Sequence, residues 1–231
     1  MFFTSRNTIC TFLIILCLGC SKSKIDNTNS STFTLSVIDS ENNYRTCYLY
    51  HVNSLLLSDS TNFKNGEATF NDSILLPSRY LIRLDELQQG KLIILENDSI
   101  SVLLNSDDIR QSMVKNSKIN KELTAYQNSS AKITQKIELL FPELQRARLE
   151  NNDEKLAEID TKIKAIEIEN LEFSYNYALK NPSSFISAMI LNDLSKRDSV
   201  DFPKIQEIYY NLSDIVKQSE DAKLVARKLG F

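Results

Sequence analysis

Residues 118–180 read KINKELTAYQNSSAKITQKIELLFPELQRARLENNDEKLAEIDTKIKAIEIENLEFSYNYALK, and two heptad seams run through them. Ile119, Leu123, Tyr126, Ser130, Ile133, Ile137, Leu140 and Leu144 step by four and three alternately, as do Leu156, Ile159, Ile163, Ile166, Asn170, Phe173 and Tyr177. This spacing puts one stripe on each of two helices. Glu150-Asn151-Asn152-Asp153 lies between them as a polar turn. Folding the chain back about position 150 sets Leu144 against Leu156, Ile137 against Ile163 and Leu123 against Tyr177. The same fold sets Ser130 against Asn170, the only two polar seam residues, so the stretch predicts an antiparallel helical hairpin over about 118–180. Two further expectations follow: Pro142 kinks the first helix near its end, and Asn170→Leu stabilises the hairpin unless Asn170 makes a specific polar contact. Glu158–Lys162 and Asp160–Lys164 add i,i+4 pairs on the outer face.

The second helix carries another apolar stripe, Ile168, Leu171, Tyr175 and Ala178, which the sheet or the following short helices must cover. Asn181-Pro182 ends that helix. Ser183 or Ser184 can cap a short helix through Leu194, Asp201 one through about Leu212, and Ser219-Glu220-Asp221 opens a last one that stops at Gly230. Residues 117–231 are therefore read as a helical region, with its short helices at about 184–229.

Before Ser117 the period changes to two. Phe33, Leu35 and Val37 alternate with Thr and Ser. Arg45–His51, Arg79–Leu84, Leu92–Leu95 and Ile100–Leu104 read as further strands, and Lys64-Asn65-Gly66-Glu67 reads as a hairpin turn. Short strands at eight- to twelve-residue spacing predict an antiparallel β-sandwich or barrel-like module over 32–116. The fold class is α+β.

The first twenty residues, MFFTSRNTICTFLIILCLGC, place an apolar run, Ile9–Leu18, after a short n-region that carries Arg6. Ten residues are too few to span about 30 Å of hydrocarbon but suit a signal peptide. The run closes on Leu16-Cys17-Leu18-Gly19-Cys20, which resembles a bacterial lipobox, with Cys17 where Leu is usual. The resemblance implies cleavage after Gly19 (signal peptide 1–19), diacylglycerol on the Cys20 thiol and a partnership with the membrane through that anchor. The other reading of these residues is an ordinary secretory signal or short anchor, and either still exports the chain. Residues 20–31 are polar and of low complexity, which predicts a disordered tether. Lys22 and Lys24 just after Cys20 tilt the reading towards an outer-membrane anchor facing the periplasm.

Composition narrows the chemistry. The 231 residues carry 27 Lys+Arg against 30 Asp+Glu, a net charge of −3, which removes the electrostatic case for nucleic acid as a partner. Four glycines, one of them in the signal, build neither a phosphate loop nor a dinucleotide fingerprint. The one histidine, His51, sits at the end of a Tyr-rich strand and reads as a surface or packing residue. After processing, Cys47 is the only free thiol and reads as a buried small hydrophobe. Zinc needs three or four N/S ligands and the mature chain offers two. Asp107-Asp108 after Asn105 reads as a turn rather than a calcium loop. Glu167, Glu169 and Glu172 read as a solvated helix face. Tyr44, Tyr48 and Tyr50 read as strand packing, with a ligand groove as the other possibility. No catalytic, cofactor-binding or metal residue is expected, and no cofactor.

The order of motifs carries a family resemblance. After the lipobox and tether come Tyr48-Leu49-Tyr50, Leu57-Ser58-Asp59-Ser60, Lys64-Asn65-Gly66-Glu67-Ala68-Thr69-Phe70, Pro77-Ser78-Arg79-Tyr80-Leu81-Ile82, and then residues 90–102. Lys115-Asn116-Ser117-Lys118-Ile119-Asn120-Lys121-Glu122-Leu123 follows, and Asn181-Pro182-Ser183-Ser184 precedes a helix. The series resembles the N-terminal domain of unknown function of Bacteroidetes-type thioredoxin-like (TlpA/AhpC-related) lipoproteins, where Gly-Ser usually stands in place of Asn116-Ser117. In that family a thioredoxin domain with C-x-x-C follows and carries the chemistry. Cys17 and Cys20 spell C-x-x-C, but inside the export signal, so that pair is not read as a redox or zinc motif. No other position matches, and the resemblance implies compartment and fold without the activity. The expected function is a non-enzymatic, lipid-anchored binding or scaffolding module whose partner is a separate thioredoxin-like protein. A truncated remnant of the oxidoreductase and a ligand- or glycan-binding lipoprotein are the alternatives.

Overall fold

The computed structural model describes residues 32–231 apart from 86 and 88. The signal peptide, Cys20 and the tether lie outside the described residues. Eight strands come first: β1 Phe33–Ile38, β2 Thr46–His51, β3 Leu57–Asn62, β4 Glu67–Asp72, β5 Ser78–Leu84, β6 Gly90–Leu95, β7 Ser99–Leu103 and β8 Met113–Lys115. Helices follow: α1 Lys118–Glu138, α2 Phe141–Leu149, α3 Asp153–Lys180, α4 Phe185–Leu194, α5 Phe202–Asn211, α6 Asp214–Lys217 and α7 Glu220–Leu229.

The strands form two four-stranded sheets, ordered β4-β1-β7-β8 and β3-β2-β5-β6. The alternation in β1 is realised in full, with Phe33, Leu35 and Val37 buried and the residues between them half-buried. Leu35, Leu49, Phe70, Ile82, Leu84, Ile93, Leu95 and Ile100 fill the space between the sheets. The α+β class stands, as a sandwich and not a closed barrel. One pairing departs from the antiparallel expectation: β1 and β7 are parallel neighbours. The chain passes through the other sheet between these two strands, and that longer crossover lets them run the same way.

The turn at Lys64-Asn65-Gly66-Glu67 also differs from its reading as a hairpin. Its local geometry is that of a two-residue turn. The Lys64 and Glu67 backbones exchange bonds of 2.8 and 3.1 Å, and Asn65 and Gly66 both take positive φ, 53° and 77°, as a type I′ turn requires. Yet β3 pairs with β2 and β4 with β1, so the turn is a corner between sheets. A Cβ on Gly66 would lie 2.8 Å from the Asp39 carbonyl oxygen, which fixes glycine there.

The helical hairpin forms as the seams predict. Ser130 Oγ donates to Asn170 Oδ1 at 2.8 Å, and Tyr126 stacks on Phe173 with ring centroids 5.5 Å apart. Both i,i+4 ion pairs are present, but exposed pairs contribute little, so the seam holds the hairpin. Pro142 acts more strongly than a kink. The helix breaks at Leu139-Leu140, and the proline sits in the first turn of α2, where its missing N–H costs nothing. The expectation that Asn170→Leu stabilises the hairpin is corrected by the Ser130 bond, which leucine cannot accept. Asn170→Leu is expected to cost about 1 kcal/mol of unfolding free energy, and Ser130→Ala combined with it to recover that loss. Urea denaturation of the two single variants and the double variant measures the coupling.

The second stripe on α3 is covered by the short helices. Tyr175 and Ala178 are buried beside α4 and α5 in a core shared with Ile186, Leu191, Ile205, Ile208 and Val225. Ile168 is an exception and is exposed, because it lies before the point where these helices reach α3. Ser184, Asp201 and Ser219 each cap the helix expected of them, and Gly230 ends α7 in the left-handed conformation. Glu122 ties three helices together: its Oε1 accepts from Tyr177 Oη and from Ser184 Oγ, both at 2.6 Å. Burial, and then the Glu122 acceptor, push the Tyr177 phenol up.

Candidate functional site

The helices pack on the outer face of β5 and β6, and the chemistry of the molecule concentrates there. Arg79 on β5 and Ile94 on β6 are cross-strand partners, and both are buried from the side away from the sandwich core. Arg79 reaches helical carboxylates at two points. Nη1 donates to both oxygens of Asp193, at 2.9 and 2.8 Å, and Nη2 donates to Asp221 Oδ1. Asn192 Nδ2 donates to the same Asp221 oxygen at 2.6 Å, and Asn53 Nδ2 at 3.3 Å. Asp221 lies in the first turn of α7, where the helix dipole favours a carboxylate. Burial disfavours the Arg79 cation, but Asp221 and Asp193 more than offset it and its pKa is raised. Arg79 Nε and Asn192 Oδ1 are buried without a hydrogen-bond partner.

Beside this cluster, His51 Nε2 lies 2.8 Å from Glu220 Oε2 and its Nδ1 lies 3.2 Å from Ser54 Oγ. The ring meets Tyr80 edge-on at 5.1 Å. The histidine thus joins the end of β2 to α7. It sits among polar residues that reasoning from the sequence did not single out: Asn53, Arg79, Asn192, Asp193 and Asp221. Arg79 and Asp221 are 142 residues apart, so no spacing rule joins them.

A second junction lies at the edge strand β6. Asn120, on the first turn of α1, is buried, accepts from Ile94 N at 2.9 Å and donates to the Ile94 carbonyl at 2.7 Å. Its side-chain amide does what the backbone of a further strand would do. Ser117 caps α1 and donates to Glu96 Oε1 at 2.6 Å. Asn116 adopts φ 60°, the left-handed conformation that glycine and asparagine take most readily.

The other candidates resolve one by one. Cys47 is fully buried between the sheets, and burial pushes its thiol up to about 12. Asn105 Oδ1 accepts from the Asp107 and Asp108 backbone. Asp108 caps a 3-10 turn at Ile109–Gln111, and hydrogen bonds from Arg110 hold its carboxyl well below the usual carboxylate range. Glu169 pairs with Lys136 and Glu172 with Lys204 on the solvated face of α3. Tyr44 packs on the sandwich core, while Tyr48 and Tyr50 stand half-exposed on the outer face of β2, with the Arg83 guanidinium 5.5 Å from the Tyr50 ring centre. An open groove of about 680 Å³ runs between β8 and α1, lined by Lys91, Arg110, Met113 and Lys121 among others. Lys91 Nζ donates to the Arg110 carbonyl at 2.8 Å, and burial lowers its pKa. Among the described residues no group of three His, Cys, Asp or Glu side chains could hold a metal ion.

The described residues define an α+β protein in which a two-sheet module is fastened to a helical layer by a buried ion cluster and by the sealed edge of β6. Residues 32–123 match the family model of a domain of unknown function, DUF4369. The matched segment runs into α1 and so includes Ser117 and Asn120. Comparison with curated proteins finds no match.

Proposed function

We propose that this chain is a lipid-anchored protein of the bacterial envelope, outer-membrane-attached and facing the periplasm, and that its body is a non-catalytic binding or scaffolding module. The observation that carries the reading is the sequence Leu16-Cys17-Leu18-Gly19-Cys20 at the close of a ten-residue apolar run, with twelve residues between it and β1. The order of sequence motifs supports a relation to the front domain of thioredoxin-like lipoproteins, with a separate thioredoxin-like protein as the proposed partner, and the match to a domain of unknown function covers residues 32–123 of that region. Two features support a body without catalysis: the Cys47 thiol is sealed between the sheets, and His51 is engaged with Glu220.

Mass spectrometry of protein extracted from membranes tests the anchor. The expected amino-terminal peptide begins at Cys20 and carries diacylglycerol and an N-acyl chain, whereas an unmodified Cys20 would overturn the reading. Insulin-reduction activity of the purified protein above background would overturn the non-catalytic assignment.

A further inference from the structure

One end of the sandwich displays leucines that stand largely exposed among the described residues. Leu75, between β4 and β5, is 94% exposed, and Leu55 and Leu56, between β2 and β3, are 80% and 67% exposed. The strand registers put both loops at the same end as the start of β1. Phe33 stands opposite Asp72, Thr34 beside Ser99, Ser78 opposite Leu95 and His51 opposite Tyr80. Short connections, 73–77 and 96–98, join the two sheets there.

Both loops hold their leucines out on fixed backbone. Asn97 accepts from Ile74 N at 3.0 Å and donates to the Ile74 carbonyl at 2.7 Å, and Pro77 follows. The His51 and Leu56 backbones are bonded at 2.9 Å, as are Leu55 and His51. Leu55 itself takes φ 58°, a conformation unfavourable for a side chain with a Cβ, and the residue remains 80% exposed.

The chain leaves this end towards Cys20. Thirteen residue steps separate Cys20 from Phe33, and fully extended they span at most about 45 Å. The helical hairpin points the other way. α1 starts beside Glu96 and runs along β6 to a groove it shares with Lys91, leaving residues 139–152 at the far end. We propose that the Leu55, Leu56 and Leu75 loops are a membrane-contacting surface, seated in the apolar boundary of the lipid leaflet that holds the anchor. This inference rests on the Cys20 anchor proposed above. The occupant is a lipid surface because the leucines cap the end at which β1 begins, the end nearest along the chain to the proposed anchor. Apolar side chains at that boundary add to the hold of acyl chains and fix which end of the module faces the membrane.

The test uses the full lipidated chain, reconstituted into vesicles of phosphatidylethanolamine and phosphatidylglycerol. Leu56→Cys, Leu75→Cys and, as control, Leu149→Cys are each labelled with a polarity-sensitive fluorophore. Cys47 is buried and does not compete for label, and all three sites are exposed, so the fold tolerates them. Emission at 56 and 75 is expected to move to shorter wavelength in vesicles and to be quenched by brominated lipid at least threefold more than at 149. Equal quenching at all three sites, with Cys20 shown to be acylated by mass spectrometry, would overturn the contact and leave the anchor standing. An unacylated Cys20 would remove the anchor and this inference with it. A shift that grows with protein concentration in detergent, without vesicles, would assign the leucines to a second copy of the chain and overturn the lipid contact.

Discussion

Arg79→Met is expected to lower the unfolding free energy by about 3–5 kcal/mol, the largest single-residue effect outside the apolar cores. The reason is what remains behind. Asp221 is 3% exposed, and without Arg79 its carboxylate keeps only the amide donors of Asn192 and Asn53. A buried charge that has lost its counter-ion costs far more than the pair was worth. The Asp193 half of the cluster matters less, because that carboxylate is more than half exposed and exposed pairs contribute about 0–1 kcal/mol. Asp193→Asn should therefore be nearly silent beside Arg79→Met. Chemical denaturation at pH 7 measures both, and similar losses for the two variants would show that Asp221 does not depend on Arg79.

The second large effect is expected at Asn120. Asn120→Leu keeps the volume but removes both bonds to Ile94, leaving a buried backbone N–H and C=O unpaired beneath α1. Each unsatisfied buried group costs about 1–3 kcal/mol, so a loss of about 2–4 kcal/mol is expected. Asn120→Asp separates the two bonds. The carboxylate can still accept from Ile94 N but cannot donate to the carbonyl, so it should lose stability as well. Hydrogen exchange at the Ile94 amide supplies a local readout. It should speed up in Asn120→Leu by more than the global loss explains, and uniform acceleration across the sandwich would place the role of Asn120 elsewhere.

Both residues show where reading the sequence stops. Arg79 and Arg83 lie on the same face of β5, four positions apart, and give identical signals in the sequence. One is buried and the other exposed, because the helical layer reaches only the first. Asn120 reads as an ordinary polar residue one position past a seam residue, and its partner is a backbone 26 residues away. The apolar run Leu92-Ile93-Ile94-Leu95 did hold a legible clue. Its continuity marks a strand buried on both faces, with Ile93 and Leu95 turned to the sandwich core and Ile94 to the helices.

Periodicity alone determined the change from strands to helices near Ser117 and the hairpin register that joins Ser130 to Asn170, and capping residues marked the helix starts at Asp201, at Ser219 and at Ser183 or Ser184. These are legible because they depend on neighbours within a turn or on a repeat that must match its own reflection. The resemblance to a lipobox is likewise read from adjacent residues. Only the tertiary structure decided that the Asn65-Gly66 turn is a corner between sheets, that β1 and β7 run parallel, and that Arg79 meets Asp221. A type I′ turn is satisfied locally whether or not its strands pair. Strand partnership and ion-pair burial depend instead on which surfaces come together, across 65 residues for Thr34 and Ser99 and 142 for Arg79 and Asp221, and local sequence does not encode that.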